Sequence, residues 1–217
     1  ESVEPFFRRE RRGLPRVRGI TVDGALDDWA GVAATRLAEA RLVFLGRQHW
    51  SGPDDLSVSY RIGHDGRRLY VAAEVTDDAV GRDGNRVWKN DCVELFWDAR
   101  PPKARADRPS DGAGQVLVPL PAEGEAPAPE WKLPSDLPPK FKVAFRRRPG
   151  GYTFEMALDL ASIGLPTPLP AGRTIGLALQ VDDRDGRGEA ATRSHLNTAG
   201  VTELYRSTLG YILCTAE

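Results

Sequence analysis

The sequence predicts an all-β domain, an antiparallel β-sandwich of the jelly-roll or immunoglobulin-like type, and three observations support this prediction. Several short segments alternate apolar and polar residues with period two, as half-buried strands do. Turn signals separate these segments, and 22 glycines and 17 prolines are a high content for a helical protein. No internal repeat of solenoid period is present. With 217 residues and 41% hydrophobic residues, the chain is long enough for one sandwich with a packed core.

The first eighteen residues differ in composition from the rest of the chain. They carry two prolines and a cluster of four arginines between Arg8 and Arg12. Because charge runs usually lie in water, we expect residues 1–18 to be a solvated lead-in or linker, with a basic arm as the alternative. The sandwich domain is then predicted to span residues 19–217.

Turn residues and alternation place the first elements of the domain. Residues 20–29 predict a short strand, an Asp-Gly turn and a helical turn that begins with acidic residues. Residues 56–62 and 68–75 both read as strands. The pair Asp65-Gly66 lies between them, so the sequence predicts a β-hairpin here.

A central strand and a long excursion follow the hairpin. Residues 91–98 are apolar on both faces apart from Glu94, as expected for a strand at the centre of a sandwich. Residues 99–139 are rich in proline, alanine and charge, and within them only residues 115–118 resemble a strand. We therefore expect a long Pro-rich loop excursion on the surface. Later strands are predicted at residues 140–146, 152–158, 174–181 and 209–214.

Charge and hydropathy exclude two classes of partner. Thirty basic residues against 31 acidic ones leave a formal net charge of -1, without the positive surplus that phosphate binding requires. We therefore expect no nucleic-acid partner. No apolar run approaches the roughly 20 residues of a membrane span. The chain begins at Glu1 without a methionine, so a missing leader says little about its compartment.

Two cysteines, Cys92 and Cys214, both lie in apolar, strand-like stretches. This setting favours two small buried thiols over one disulfide, although the sequence leaves both states open. Neither cysteine has the CxxC spacing of a metal or redox site.

No catalytic motif is present, so the sequence does not favour an enzyme. The three histidines do not belong to nucleophile or zinc motifs such as GxSxG or HExxH. Most of the paired acidic residues fall in turns, where turn chemistry explains them without catalysis. Clustered carboxylates in loops also suit Ca²⁺, which takes six to eight oxygen ligands. The candidate ligands of a structural calcium ion are Asp77, Asp78, Asp182 and Asp183.

Three ordered groups of segments resemble the family 9 carbohydrate-binding modules. The first group is the Asp-Gly turn and the tryptophan of residues 20–29. The second joins residues 69–78 to residues 88–98, which begin with Trp88 and contain the Val-Glu pair of the central strand. The third comprises residues 151–158, residues 175–183 and the final strand. Together these segments cover most of the chain from residue 19 onward.

The resemblance implies a β-sandwich that holds a saccharide or polysaccharide between aromatic rings, with polar groups at the hydroxyls. It assigns Trp88 to one ring and Glu94 to the hydroxyl-binding carboxylate. Tyr205 is the available second aromatic, and Trp131 in the excursion is a possible replacement surface. Arg193 is a further candidate at the site, or, like Arg61, an ion-pair partner that a buried Glu94 would need. The resemblance also implies an extracellular or periplasmic location and a larger polysaccharide-acting parent protein with other domains.

One departure from the family pattern leaves alternatives open. Where sugar-binding members carry Arg and Asn, this chain has the segment from Gln115 to Pro119, with Leu117 between them. The pocket is therefore expected to have changed or lost its ligand. A degenerate sandwich with a structural or protein-interaction role is the first alternative. A haem-holding sandwich, with axial ligands from Met156, His195 or a lysine, is the second.

Overall fold

The fold is that of a computed structural model, which describes residues 10–82, 86–101, 109–132, 138–186, 188, 191–201 and 204–217. These residues form two packed sheets, and the prediction of an antiparallel β-sandwich is confirmed. The strands are β1 (Arg11–Leu14), β2 (Thr35–Leu37), β3 (Val43–Leu45), β4 (Leu56–His64), β5 (Arg68–Asp77), β6 (Cys92–Asp98), β7 (Ala113–Pro119), β8 (Glu130–Lys132), β9 (Phe141–Arg148), β10 (Gly151–Asp159), β11 (Thr174–Asp185), β12 (Thr192–Asn197) and β13 (Ile212–Ala216). Short 3₁₀ turns span Asp27–Trp29, Ala40–Leu42, Val87–Lys89, Ala161–Ile163 and Thr208–Gly210. None of the helical turns in these residues is long and apolar enough to cross a bilayer.

The first sheet is organised around β11. On one side β11 pairs with β6, which is followed by β7 and β8. On the other side the first part of β11 pairs with β13 and its second part with β12. β1 lies beyond β13, and β3 lies beyond β12. The second sheet has the order β2-β4-β5-β10-β9 and contains the predicted hairpin as β4 and β5.

Alternation along β6 separates the core from the outer face of the first sheet. Val93, Leu95 and Trp97 belong to the main hydrophobic core between the sheets. Because successive strand residues point to opposite faces, Glu94 and Phe96 face outward. Every residue of β6 is nonetheless buried, since neighbouring segments cover the outer face as well. The sequence interpretation of β6 as a central strand is therefore confirmed.

The outer face of the second sheet is covered by the segment that leads from β1 into the sandwich. Trp29 is fully buried there against Tyr70, Ala72 and Ala157. Its indole Nε1 donates a hydrogen bond of 2.8 Å to Glu155 Oε1 on β10. The backbone amides of Asp23 and Gly24 donate bonds of 3.0 Å and 2.7 Å to Glu155 Oε2. One buried carboxylate thus anchors both the Asp-Gly turn and the tryptophan of the opening motif. Gly24 has φ +85, and a Cβ there would approach the backbone of Phe145 to 2.9 Å.

The structure corrects the predicted lead-in of residues 1–18. Residues 11–14 form β1, which pairs in parallel with β13, and Leu14 is fully buried. Arg16 bridges to His64, and Val17 is buried under the second sheet. A short strand that pairs only with a distant segment has no hairpin partner nearby in sequence to indicate it. In β1 the run of charged residues also hides the pattern expected of a strand. Residues 1–9, which contain the first part of the arginine cluster, lie outside the described residues.

The predicted excursion at residues 99–139 contains more sheet than expected. Strand β7 is buried along its whole length between β6 and β8, whereas the sequence predicted a strand only at residues 115–118. Residues 102–108 and 133–137, which belong to the predicted loop, lie outside the described residues.

Both cysteines are buried, and neither forms a disulfide. Cys92 pairs with Asp182 and Cys214 with Ile175, so they flank β11 at positions about 23 Å apart at ~3.3 Å per residue. A disulfide requires Cα atoms within about 7 Å. We expect neither thiol to react with Ellman's reagent until the protein is denatured, and then both to react. Rapid reaction of the native protein would contradict this placement.

Candidate functional site

A cleft of 630 Å³ lies on the outer face of the first sheet. Its floor is formed by residues that alternate with core residues on β7, β6, β11 and β12, because period two sends them outward. The floor residues are Gln115, Leu117, Glu94, Phe96, Gln180 and His195. Residues from β3 and from the segments around the sheet form the walls. The wall residues are Phe44, Leu45, Trp88, Lys132, Tyr205 and Tyr211.

Trp88 and Tyr205 both line this cleft, although they are far apart in sequence. Trp88 is half-buried, with one part packed against Val87, Cys92 and Leu117. The packing contact that the sequence left open is therefore present, and the remaining part of the ring lines the cleft. Tyr205 is 53% exposed, which leaves much of its ring accessible.

Two cations lie over the Trp88 ring. Lys132 Nζ is 4.3 Å from the ring centroid and Arg86 Cζ is 5.2 Å from it, both within cation–π range. Lys132 comes from β8 and itself lines the cleft. The indole is thus oriented at the rim by contacts on its faces as well as by the core behind it.

A polar network joins the floor residues. Glu94 Oε2 accepts a hydrogen bond from Gln115 Nε2. Asp182 Oδ1 accepts bonds of 2.8 Å from Gln180 Nε2 and 2.8 Å from His195 Nδ1. Carboxylate oxygens of Glu94 and Asp182 lie within 4.8 Å of each other and of the Cys92 sulfur. The two acids therefore share one buried site.

Burial determines how these groups are charged. It raises the pKa of Glu94 well above its ordinary value, and the charge of Asp182 raises it further. Burial also raises the pKa of Asp182 to about 6. The pair therefore takes up a proton more readily than two separate, exposed carboxyl groups would. Burial lowers the pKa of His195 to about 4, so its imidazole is neutral at pH 7.

The structure brings some of the predicted binding residues together and separates others. Trp88, Glu94 and Tyr205 line one cleft. Trp131 is 47% exposed but lies outside the cleft, since its neighbour Lys132 takes the cleft side of β8 and alternation turns Trp131 away. Arg193 is near Asp182 and His195 without lining the cleft.

The expected arginine partner of Glu94 is replaced by an amide. Gln115 supplies the hydrogen bond to Glu94. Arg61 lies on the second sheet, and its Nε donates to the Val32 carbonyl. Sequence reasoning also missed Gln180 and His195 as cleft residues. On their strands, Gln180 and His195 face the same side of the sheet as Glu94. This shared orientation could have identified them, but only once the register between the strands is known.

The predicted calcium ligands divide among three places. Asp182 belongs to the floor of the cleft, whereas Asp183, the next residue on β11, points to the opposite side. Asp183 lies with Asp77 and Asp91 in one buried group of carboxylates. Asp78 belongs to a second group, with Asp55 and Asp185. In each group the potential ligand oxygens lie within 4.8 Å of one another.

The buried aspartate group joins the two sheets at one end of the sandwich. Asp77 ends β5 in the second sheet, Asp183 is on β11 in the first, and Asp91 directly precedes β6. Burial raises the pKa of Asp77 to about 6, of Asp91 to about 9 and of Asp183 to about 8. Asp77 Oδ2 and Asp183 Oδ1 are buried and have no hydrogen-bond partner in the part of the chain that the structure describes. Unpaired carboxylate oxygens converging on one point are the donor set that Ca²⁺ prefers.

The two residues proposed as haem ligands do not face each other. Met156 is buried in the main core between the sheets, whereas His195 lines the cleft on the outer face. The first sheet therefore separates them. This arrangement does not support axial ligation of one haem by the pair.

Comparison with known proteins agrees with this architecture. The family model described as Carbohydrate family 9 binding domain-like matches residues 22–211. The chain is 28% identical over 172 residues to endo-1,4-beta-xylanase A of Thermotoga maritima. The corresponding enzyme of Thermotoga neapolitana is 27% identical over 172 residues. Each alignment covers 77% of this chain and 14% of the xylanase, so the chain spans a small part of these relatives.

Two solved structures from Caldicellulosiruptor kristjanssonii share the fold. Both are of a family 9 carbohydrate-binding module, one in complex with cellotriose and one with glucose. The cellotriose complex aligns with a TM-score of 0.75 and 19% identity, over 95% of this chain and 94% of the other. The glucose complex aligns with a TM-score of 0.74 and 19% identity, over 95% and 96%.

Proposed function

Because the chain belongs to the carbohydrate family 9 binding domain-like family, it is a non-catalytic carbohydrate-binding module, and we propose that the cleft on its first sheet is the sugar-binding site. The observation that supports this site most directly is the meeting of Trp88, Glu94 and Tyr205 in one cleft. Aromatic walls over a polar floor are typical of small-molecule sites.

Each part of the cleft matches a part of a pyranose ring. The C–H faces of the sugar are apolar and pack on the exposed part of Trp88 and on Tyr205, where aromatic area is removed from water. The hydroxyl groups meet Glu94, Gln115 and Gln180 on the floor. The carboxyl oxygens of Glu94 can accept hydrogen bonds, and its raised pKa favours the protonated form, which can also donate one. Leu117 contributes apolar floor area where the family pattern has a polar residue.

The proposed ligand is a soluble glucan fragment, such as the cellotriose or glucose bound by the two fold relatives. We further propose that the chain works as a module of an extracellular polysaccharide-acting protein with other domains. The xylanase alignments support this, because the matching region is 14% of each enzyme.

Isothermal titration calorimetry with glucose, cellotriose and xylotriose tests the proposed function, together with sedimentation assays on insoluble cellulose and xylan. We expect saturable one-site binding to at least one soluble sugar. Binding to insoluble glycan alone would indicate a surface-binding role in place of the cleft. The absence of binding to every sugar would contradict the proposal and favour the protein-interaction alternative.

We also propose that Asp77, Asp91 and Asp183 hold a structural Ca²⁺, with Asp55, Asp78 and Asp185 as a second candidate group. The metal would supply the positive charge that three buried, mutually repelling carboxylates lack. Since Asp77 and Asp183 belong to different sheets, a bound ion would tie the sheets together.

Calcium is expected to raise the melting temperature of the protein. At a free concentration 100 times the Kd, binding adds about 2.7 kcal/mol of stability. For a domain of this size that is a rise of roughly 5–10 °C over the protein in EDTA. Differential scanning calorimetry measures the shift. Asp183→Asn is expected to abolish most of it, whereas Asp54→Asn, at an exposed residue beside Asp55, should retain it. Equal melting temperatures with calcium and with EDTA would refute the site.

A further inference from the structure

His195 holds a defined orientation on the floor of the cleft. Its Nδ1 lies 2.8 Å from Asp182 Oδ1. The ring packs edge-on against Phe44, with centroids 5.7 Å apart and an interplanar angle of 86°. Both contacts restrict rotation of the imidazole. The residue is only 7% exposed, so little solvent reaches it.

The pairing with Asp182 also determines which ring nitrogen carries the proton. Asp182 Oδ1 already accepts a hydrogen bond from Gln180, so it acts as an acceptor toward Nδ1 as well. In a neutral imidazole with the proton on Nδ1, Nε2 carries a lone pair and can only accept. His195 Nε2 is buried and has no hydrogen-bond partner among the described residues. An acceptor in this state loses free energy unless something donates to it.

We propose that His195 is a specificity-determining residue of the cleft, oriented by Asp182 so that its Nε2 accepts a hydrogen bond from one sugar hydroxyl. This inference rests on the proposed function, since the cleft must bind sugar for His195 to select among sugars. It names the ligand class more closely: a neutral sugar with a free hydroxyl at the position that meets Nε2. A uronate carboxylate at that position would bring two lone pairs together and would be rejected.

The first test needs no ligand. Long-range ¹H–¹⁵N NMR spectra at pH 7 distinguish the two neutral tautomers and the imidazolium of His195. We expect the proton on Nδ1 and an unprotonated Nε2, and Asp182→Asn should change that tautomer balance. A proton on Nε2 or an imidazolium in the wild-type protein would overturn the proposal.

The second test detects the hydrogen bond by changing the hydroxyl groups of the sugar one at a time. Glucose and its monodeoxy and monodeoxyfluoro analogues are titrated into wild type and into His195→Phe, which keeps an aromatic ring against Phe44. For wild type we expect the position that meets Nε2 to be one at which both analogues bind about tenfold more weakly, since fluorine cannot donate. In His195→Phe, removing that hydroxyl should cost nothing further. A purely structural histidine would leave the analogue profile of the variant identical to that of wild type.

The outcomes separate this inference from the proposed function. If the wild-type protein binds no sugar, both the proposed function and the role of His195 are refuted. Wild-type protein that binds glucose while His195→Phe shows an unchanged profile would overturn the role of His195 alone. Melting temperatures of the variant and the wild type, compared in the absence of sugar, identify any loss of binding that comes from unfolding.

Discussion

Replacing Trp88 with alanine is expected to weaken sugar binding by about two orders of magnitude. Tryptophans at the centre of binding sites contribute about 2–4 kcal/mol when truncated, and about 1.4 kcal/mol is a factor of ten in Kd. One part of Trp88 lines the cleft, while its other part packs against Val87 and Cys92. Calorimetry with the sugar that wild type binds best measures the loss.

Trp131→Ala is the matched control for this variant. Trp131 is the same residue type and is exposed, but it lies outside the cleft. We expect its removal to leave the Kd within about twofold, as for surface substitutions away from a site. The loss of affinity for Tyr205→Ala should fall between those of the two tryptophan variants. The Tyr205 ring is more exposed, so its removal eliminates less contact area that is shielded from water. Equal affinity of Trp88→Ala and wild type, or a loss confined to Trp131→Ala, would place the site elsewhere.

Glu155→Ala is expected to lower the free energy of unfolding by about 3–5 kcal/mol. The substitution removes the acceptor of three hydrogen bonds, from the Trp29 indole and from the amides of Asp23 and Gly24. The tryptophan is fully buried, and unsatisfied buried donors each cost about 1–3 kcal/mol. On β10 the hydrogen bond of 2.6 Å that Thr153 Oγ1 donates to the Gly24 carbonyl would remain. Urea denaturation measures the change.

Glu74→Ala provides the comparison on the neighbouring strand. Glu74 is 48% exposed and pairs with Arg148 at 3.3 Å, so its loss should cost at most about 1 kcal/mol. Glu155→Gln keeps one acceptor oxygen and is expected to fall between Glu155→Ala and wild type. A destabilisation by Glu155→Ala no larger than that by Glu74→Ala would show that the Glu155 carboxylate does not anchor the opening motif.

The sequence predicted the local parts of this fold well. The hairpin of β4 and β5 combines two alternating segments with an Asp-Gly turn, so all its determinants are neighbours in sequence. Strand β1 was missed because its partner, β13, is at the other end of the chain. Strands β3 and β12 also pair with each other across a long separation. Pairings between distant segments leave little trace in a single window of sequence.

The sequence predicted those residues of the site that match motif positions of the family it resembles. Trp88 and Glu94 were predicted at matching motif positions, and the structure places them in one cleft, but their binding role remains a prediction. The polar partners of Glu94 depend on the register of three strands, which the sequence did not define. Asp182 and Asp183 illustrate the difficulty, because neighbours on a strand face opposite sides. The structure therefore places these two predicted metal ligands on opposite sides of β11, in different groups of acidic residues.

The adjacency of those two aspartates on β11 couples the proposed sites through a single peptide unit. Any movement of this unit that improves cation coordination at Asp183 also displaces Asp182 and, through it, His195. Thermodynamic reciprocity then requires that whatever factor calcium applies to glycan affinity, glycan applies to calcium affinity. The proposed ion site and the proposed sugar site thus lie on opposite sides of one strand, and we expect binding of either ligand to change the affinity for the other.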